Sequence, residues 1–209
     1  LDRYVDYFVI VESTYNHRGD KRKLLFNHKK FEKFKKKIIY LVYDKSPEKI
    51  EEILINDAES EKSRKYILNA IQRENGQRNF ITSGLNEAKD EDMILISDVD
   101  EIPNLENLDL RKINQKIILF NQDMFYYKFN LYLRNLIWTG TKGCKKQYLK
   151  SPQWLRNIKD RKFPFFRLDV FFSETKFINI KIIENGGWHF TNIKTPSEIQ
   201  HKLRSYLCL

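Results

Sequence analysis

The chain has 209 residues, 41% hydrophobic and 14% aromatic, long enough for one α/β domain with a substantial core and too apolar to be intrinsically disordered. Its two cysteines, Cys144 and Cys208, sit in no Cys-x-x-Cys or Cys/His spacing, which excludes a zinc ribbon and a disulfide framework, and no apolar run approaches the roughly 20 residues that span a bilayer. The formal charge of +10 invites an anionic partner, yet residues 18–37 alone hold ten lysines and arginines against Asp20 and Glu32, so most of the excess is local. The expectation is a soluble, cytoplasmic chain, with membrane association or an anchor lost upstream left open.

In chain order, residues 5–11 (VDYFVIV) read as a buried strand. The basic run follows. Phe31, Phe34 and Ile38 punctuate it at helical spacing, which predicts an amphipathic helix with a solvated basic face; a surface for an anionic partner or a sugar diphosphate is the other reading. Residues 38–43 (IIYLVY) form a second strand, stopped by Asp44, Ser46 and Pro47. Residues 60–75 carry a helical period through Tyr66, Ile67, Ala70 and Ile71, and Gly76 is expected to end the helix. Residues 78–88 predict another helix, broken near Gly84.

Residues 93–97 (MILIS) are the third strand. Beyond Pro103 the texture changes to strands with aromatic faces at 117–120, 125–133 and 177–183. Thr195, Pro196 and Glu198 spell a helix start with a capping box. Strands alternating with helices predict an α/β fold, a mostly parallel sheet flanked by helices with antiparallel additions in the C-terminal half. There is no internal repeat or low-complexity linker.

The informative segment is residues 92–103, DMILISDVDEIP, where an apolar strand runs into Asp98, Asp100 and Glu101. On an extended chain, residues two apart point to the same side and lie about 6.6 Å apart, so Asp98 and Asp100 could bracket one cation. Unpaired carboxylates that close raise one another's pKa, which gives a bound cation a reason to be there. A bare Asp-x-Asp is a weak signal, because strand-end acids often cap a following helix. Mg²⁺ or Mn²⁺ uses one or two carboxylates and fills its other positions with water and phosphate oxygens, so a diphosphate substrate follows.

Together with VDYFVIVEST, FYYKFNLYL, WTGTKG and SPQWLR in the same order, the pieces SDVDEIP and GGWHF resemble glycosyltransferase family 17, which includes β-1,4-mannosyl-glycoprotein 4-β-N-acetylglucosaminyltransferases. The resemblance implies a GT-A-like fold, UDP-N-acetylglucosamine as donor, a glycan acceptor, a Mn²⁺ or Mg²⁺ ion and inversion at the anomeric carbon. It also implies one domain over residues 1–209, with a nucleotide-binding half at 1–103 and an acceptor-side half at 104–209. Family members carry a further strand and helix upstream, expected to be missing here. Residues 205–209 (SYLCL) depart from the family's pattern at that place.

On this reading Asp98 and Asp100 are metal ligands, joined by His189 of GGWHF, whose paired glycines permit a tight approach and whose Trp188 and Phe190 alternate to the other face. Glu12, closing the first strand, is a candidate acceptor for ribose or uracil hydrogen bonds, and Arg78 a candidate partner for the acids or a phosphate. Trp138 is the favoured sugar platform, with Lys142 beside it in a glycine-flanked loop. Each also has a plain structural reading, as a strand cap, an ion pair or a core residue. An inverting transfer needs a carboxylate base, for which Glu184 and Asp169 are candidates without excluding Asp100 or Glu101.

Two rival readings use the same residues. One is a metal-dependent phosphate-ester or nucleic-acid enzyme, favoured by the charge, although no nuclease motif or specific nucleic-acid signature occurs. The other is a noncatalytic carbohydrate-binding relative. The sequence leaves the oligomeric state open.

Overall fold

The computed structural model describes residues 1–205. These divide into two compact units interleaved in sequence: one comprises Asp6–Asn86 and the segment from Thr195, the other Leu1–Val5 and Glu87–Lys194. This line differs from the functional halves 1–103 and 104–209.

In the first unit, strand β1 (Phe8–Ser13) pairs in parallel with β2 (Ile38–Tyr43). The basic run between them is helical only over His28–Lys37, as 3₁₀ turns kinked at Phe31, with Asn27 capping and no residue buried. Its cationic face is therefore solvated, but no α-helix spans the run. Helix α1 (Glu59–Asn79) opens with Glu59 and Glu61, acids that favour the positive end of the helix dipole. It continues through Gly76. A β-carbon there would stand 2.4 Å from the Tyr43 hydroxyl, so glycine lets the helix approach β2 and does not end it. A 3₁₀ turn at Phe80–Gly84 replaces the second predicted helix, and Gly84 lies so close to Val9 that a side chain would clash.

The second unit is built on a six-stranded mixed sheet of order β3-β6-β5-β8-β4, with β7 also on β5. Its strands are β3 (Met93–Ile96), β4 (Glu101–Pro103), β5 (Ile117–Tyr126) and β6 (Tyr132–Lys145). Short helices α2 (Pro152–Asn157) and α3 (Leu168–Phe171) come next, then β7 (Ile180–Ile183) and β8 (Gly187–Thr191). Helix α4 (Pro196–Ser205) returns to the first unit. Its capping box forms as predicted: Thr195 N–H donates to the Glu198 carboxylate at 2.8 Å and Glu198 N–H to the Thr195 hydroxyl at 3.4 Å.

The class is mixed α/β, but the sheet is not mostly parallel. β3, which leads into the acids, pairs antiparallel with β6, as β5 does with β6 and β4 with β8; β5 takes β7 and β8 in parallel. The core lies where β5 is covered on both faces. Ile117, Ile118, Leu119 and Phe120 are fully buried, with Leu105, Ile113 and Ile183 packed on Ile118 and Phe120. Each such side chain contributes about 1.5–3 kcal/mol over remaining in water. The expected strand at 125–133 is instead a hairpin, the end of β5 turning into β6. Among the described residues no helix is long and apolar enough to cross a membrane.

Candidate functional site

The acids past β3 lie in a turn and not on an extended strand. Glu101 N–H donates to Asp98 O at 3.0 Å, leaving Val99 exposed at the tip and Asp98 and Asp100 on its flanks. The extended spacing expected for this pair is therefore corrected, because the turn sets their side chains. Asp98 and Asp100 keep 38% and 34% of their side-chain surface, whereas Glu101 keeps 1%.

Glu101 anchors the turn. Its carboxylate accepts both terminal nitrogens of Arg156 at 2.8 and 2.9 Å, the Trp138 indole N–H at 2.8 Å and the Asp98 backbone N–H at 3.0 Å. A buried carboxylate is tolerable only when its lone pairs are occupied and its charge opposed, and the forked guanidinium does both. Arg156 also donates to Asp98 Oδ2 at 3.0 Å and to the Gly140 carbonyl. It sits on α2, which starts with Ser151 capping Trp154 N–H and Pro152 in the first turn. Nothing in the sequence singled out Arg156: its partners are 55 and 58 residues away, and the only signal was the SPQWLR segment around it.

Lys142 and Trp138 belong to β6, not to a loop. The Lys142 ammonium is buried and donates to the carbonyls of Arg156 at 2.7 Å and Ile158 at 2.5 Å, fastening the end of α2. Burial, and next the Arg156 charge, lower its pKa to about 8. Trp138 leans on His189 with ring centroids 5.0 Å apart. Gly140 is glycine because a β-carbon would overlap the Gln122 side chain.

His189 reaches the site through its glycines. After β7 the chain steps along the same edge of β5 and restarts as β8; Gly187 takes φ +129 at a point where a β-carbon would come 2.0 Å from the Ile102 carbonyl. This places His189 beside Glu101 in register, buried, with Nε2 3.4 Å from Asp100 Oδ2, while Trp188 points outward. Its Nδ1 and the Gln122 amide oxygen are buried polar atoms with no hydrogen-bond partner among the described residues.

The other predicted residues have partners of their own. Glu12, in the first unit, accepts hydrogen bonds from Leu25 N–H, Phe26 N–H, Arg22 and the Tyr40 hydroxyl at 2.6–3.0 Å. Burial pushes its pKa up, but these donors bring it below the ordinary value. Arg78, in the same unit, pairs with Glu74. Asp169 bridges Arg167 and Lys176, which hold its pKa at about 2, a poor value for a base. Glu184 accepts from Asn121, whose side chain also accepts from Thr139. Asn121 and Gln122 are successive strand residues, so Glu184 lies on the face of the β5–β6 ladder opposite Gln122, Trp138 and Glu101. Cys208 and most of residues 205–209 fall outside the described residues.

As a cation site, the turn offers two partly exposed carboxylates. Among the described residues no group of three or more His, Cys, Asp or Glu is disposed to hold a metal ion. These two carboxylates supply the oxygens that the turn could offer a hard cation, whose other ligands would be water and substrate.

No curated protein and no solved structure matches the chain. The model of glycosyltransferase family 17 matches residues 1–159, a span that holds Asp98, Asp100, Glu101, Trp138, Lys142 and Arg156 and stops short of Asp169, Glu184 and His189. With three quarters of its length under that match, the chain belongs to glycosyltransferase family 17 and is a glycosyltransferase.

Proposed function

We propose that the Asp98–Glu101 turn receives the diphosphate of a nucleotide-sugar donor through a Mn²⁺ or Mg²⁺ ion, and that the protein transfers N-acetylglucosamine from UDP-N-acetylglucosamine to a glycan acceptor with inversion, on a GT-A-like scaffold. The observation that carries the reading is the division of labour within one turn of a family 17 chain: a buried Glu101 locked by Arg156 beside Asp98 and Asp100, which still face solvent.

When bound, the cation would neutralise charge building on the departing diphosphate. The chain's own residues supply the geometry. Asp98 and Asp100 present partly exposed carboxylates, and Arg156 donates to Asp98 Oδ2, so the ligand is oriented before substrate arrives. Glu101 holds Arg156 and, by accepting Asp98 N–H, fixes the backbone of the turn. Trp138, tethered by its indole N–H to Glu101, presents a partly exposed ring on which the apolar face of a sugar can rest. His189 backs Asp100 as a neighbour of that carboxylate.

The test is a donor screen by thermal shift, each nucleotide sugar with and without Mn²⁺, followed by donor hydrolysis and transfer assays. UDP-N-acetylglucosamine with Mn²⁺ is expected to raise Tm most. Asp98→Ala and Asp100→Ala are each expected to lower turnover about 10²- to 10³-fold with the circular dichroism spectrum unchanged. Full turnover in both variants would sink the reading, as would stabilisation by DNA but by no nucleotide sugar.

A further inference from the structure

Between α2 and β7 the chain reads RKFPFFRLDVFF over residues 161–172, and five of its large apolar side chains stand in solvent. Phe165, Phe166, Leu168, Phe171 and Phe172 are between 66% and 90% exposed. The segment is not loosely attached, because Phe163 and Val170 are buried at 4% and 5% and pin it at both ends. One set of its apolar residues serves the fold; the other is exposed, with Phe165 and Phe166 in edge contact at 5.8 Å between ring centroids.

Cations surround the foot of this patch. The guanidinium groups of Arg161 and Arg167 and the ammonium of Lys176 lie 5.1, 5.6 and 5.9 Å from the ring of Phe163. Lys162 is exposed next to them, and Asp169, paired with Arg167 and Lys176, is the only acid between residues 161 and 172. An exposed apolar patch of this density marks an interaction surface. At 66–90% exposure none of these side chains is seated in the desolvated pocket of a protein hot spot. Aromatic and leucine tips above a ring of Arg and Lys instead match a bilayer interface, where the rings reach the acyl boundary and the cations meet anionic headgroups.

We propose that residues 161–172 dock the second unit onto an anionic lipid surface, the aromatic tips entering the interface and Arg161 and Lys162 contacting headgroups. This is peripheral attachment and is independent of the donor site.

The experiment is vesicle flotation of the full chain with phosphatidylcholine alone and with an equimolar mixture of phosphatidylcholine and phosphatidylserine. The wild type is expected to float with the mixed vesicles and less with the neutral ones. Phe165→Ser and Phe172→Ser should each lower the partition coefficient about tenfold, with Phe166→Ser as a further single variant if either reduces expression. Arg161→Gln with Lys162→Gln should remove the preference for phosphatidylserine. The proposal is overturned if the wild type stays in the aqueous fraction. It is equally overturned if the phenylalanine variants float like the wild type, which would place attachment on the basic run at 18–37. Light scattering that shows a dimer broken by Phe172→Ser, without flotation, would assign the patch to a second copy of the chain.

Discussion

Glu12 in β1 and Asp98 just past β3 are the same kind of residue in the same kind of place, an acid closing an apolar strand. Around Glu12 the unit supplies two backbone N–H groups, a hydroxyl and a guanidinium, all within hydrogen-bond distance. Around the β3 turn the donors converge on Glu101, and Asp98 and Asp100 retain solvent access. A carboxylate buried among donors of its own fold has little left for a ligand, whereas one that keeps about a third of its side-chain surface is still reachable. On the proposed function, the difference separates an acid that stabilises from an acid that binds, and substitutions can test it.

The largest effect is expected at Arg156. Arg156→Met strands the buried Glu101 carboxylate, which should destabilise the second unit by about 3–5 kcal/mol. Urea unfolding followed by tryptophan fluorescence reads it cleanly, since Trp138, Trp154 and Trp188 all belong to that unit. Arg156→Lys keeps the charge without the fork and should recover part of the loss. A cost below about 1 kcal/mol would mean that the Glu101–Arg156 pair is solvated, and the closed half of the turn would be lost.

Next is Glu12→Gln, expected to cost about 2 kcal/mol as a charged acceptor of several donors is replaced by an amide that also carries donors. Circular dichroism is the probe, because the first unit has no tryptophan among Asp6–Asn86. The sign of its pH dependence follows from a folded pKa below the ordinary 4.5. The stabilisation is complete above 4.5 and disappears as pH falls through the folded value, so the wild-type and Gln profiles should converge in acid. Asp98→Asn is the contrast. It is expected to change stability by less than about 1 kcal/mol, as for other partly exposed pairs, while turnover falls as in the alanine variants. If Asp98→Asn destabilises as much as Glu12→Gln, the two strand ends are alike after all.

In the sequence both acids are candidates, Asp98 the stronger as a metal ligand and Glu12 as a nucleotide contact, and what separates them structurally is not local. Strand β2 and the box at Thr195 and Glu198 were legible because their signals are local: a continuous apolar run, and partners three residues apart. Gly76 looked like a helix stop and Gly140 like a loop, yet each is glycine because a distant side chain, Tyr43 or Gln122, occupies the space of its β-carbon. The apolar pattern of β3 marked a strand but carried no information on its antiparallel pairing with β6, some fifty residues away. The acidic cluster was legible, but its turn was not, because the sequence pattern pointed to an extended chain. Nor was its lock, since Arg156 is one cation among 38 lysines and arginines until the fold places it.

The smallest net effect at neutral pH is expected at Lys142, which fastens the helix that carries Arg156. Lys142→Met removes a buried charge, a gain, and leaves two helix-end carbonyls without their donor, a loss, so the sum at pH 7 should lie within about 1 kcal/mol. The pH dependence is more telling. With a folded pKa of about 8 against an ordinary 10.5, the unfolded chain binds more protons than the native one between those values, so the Lys142 contribution to stability rises with pH across that window. Subtracting the Lys142→Met profile removes the titration of tyrosines common to both proteins. A difference that grows in favour of the wild type from pH 8 to 10.5 would place the ammonium in its carbonyl cage, and a flat difference would place it in water, leaving the Arg156 end of α2 without this restraint.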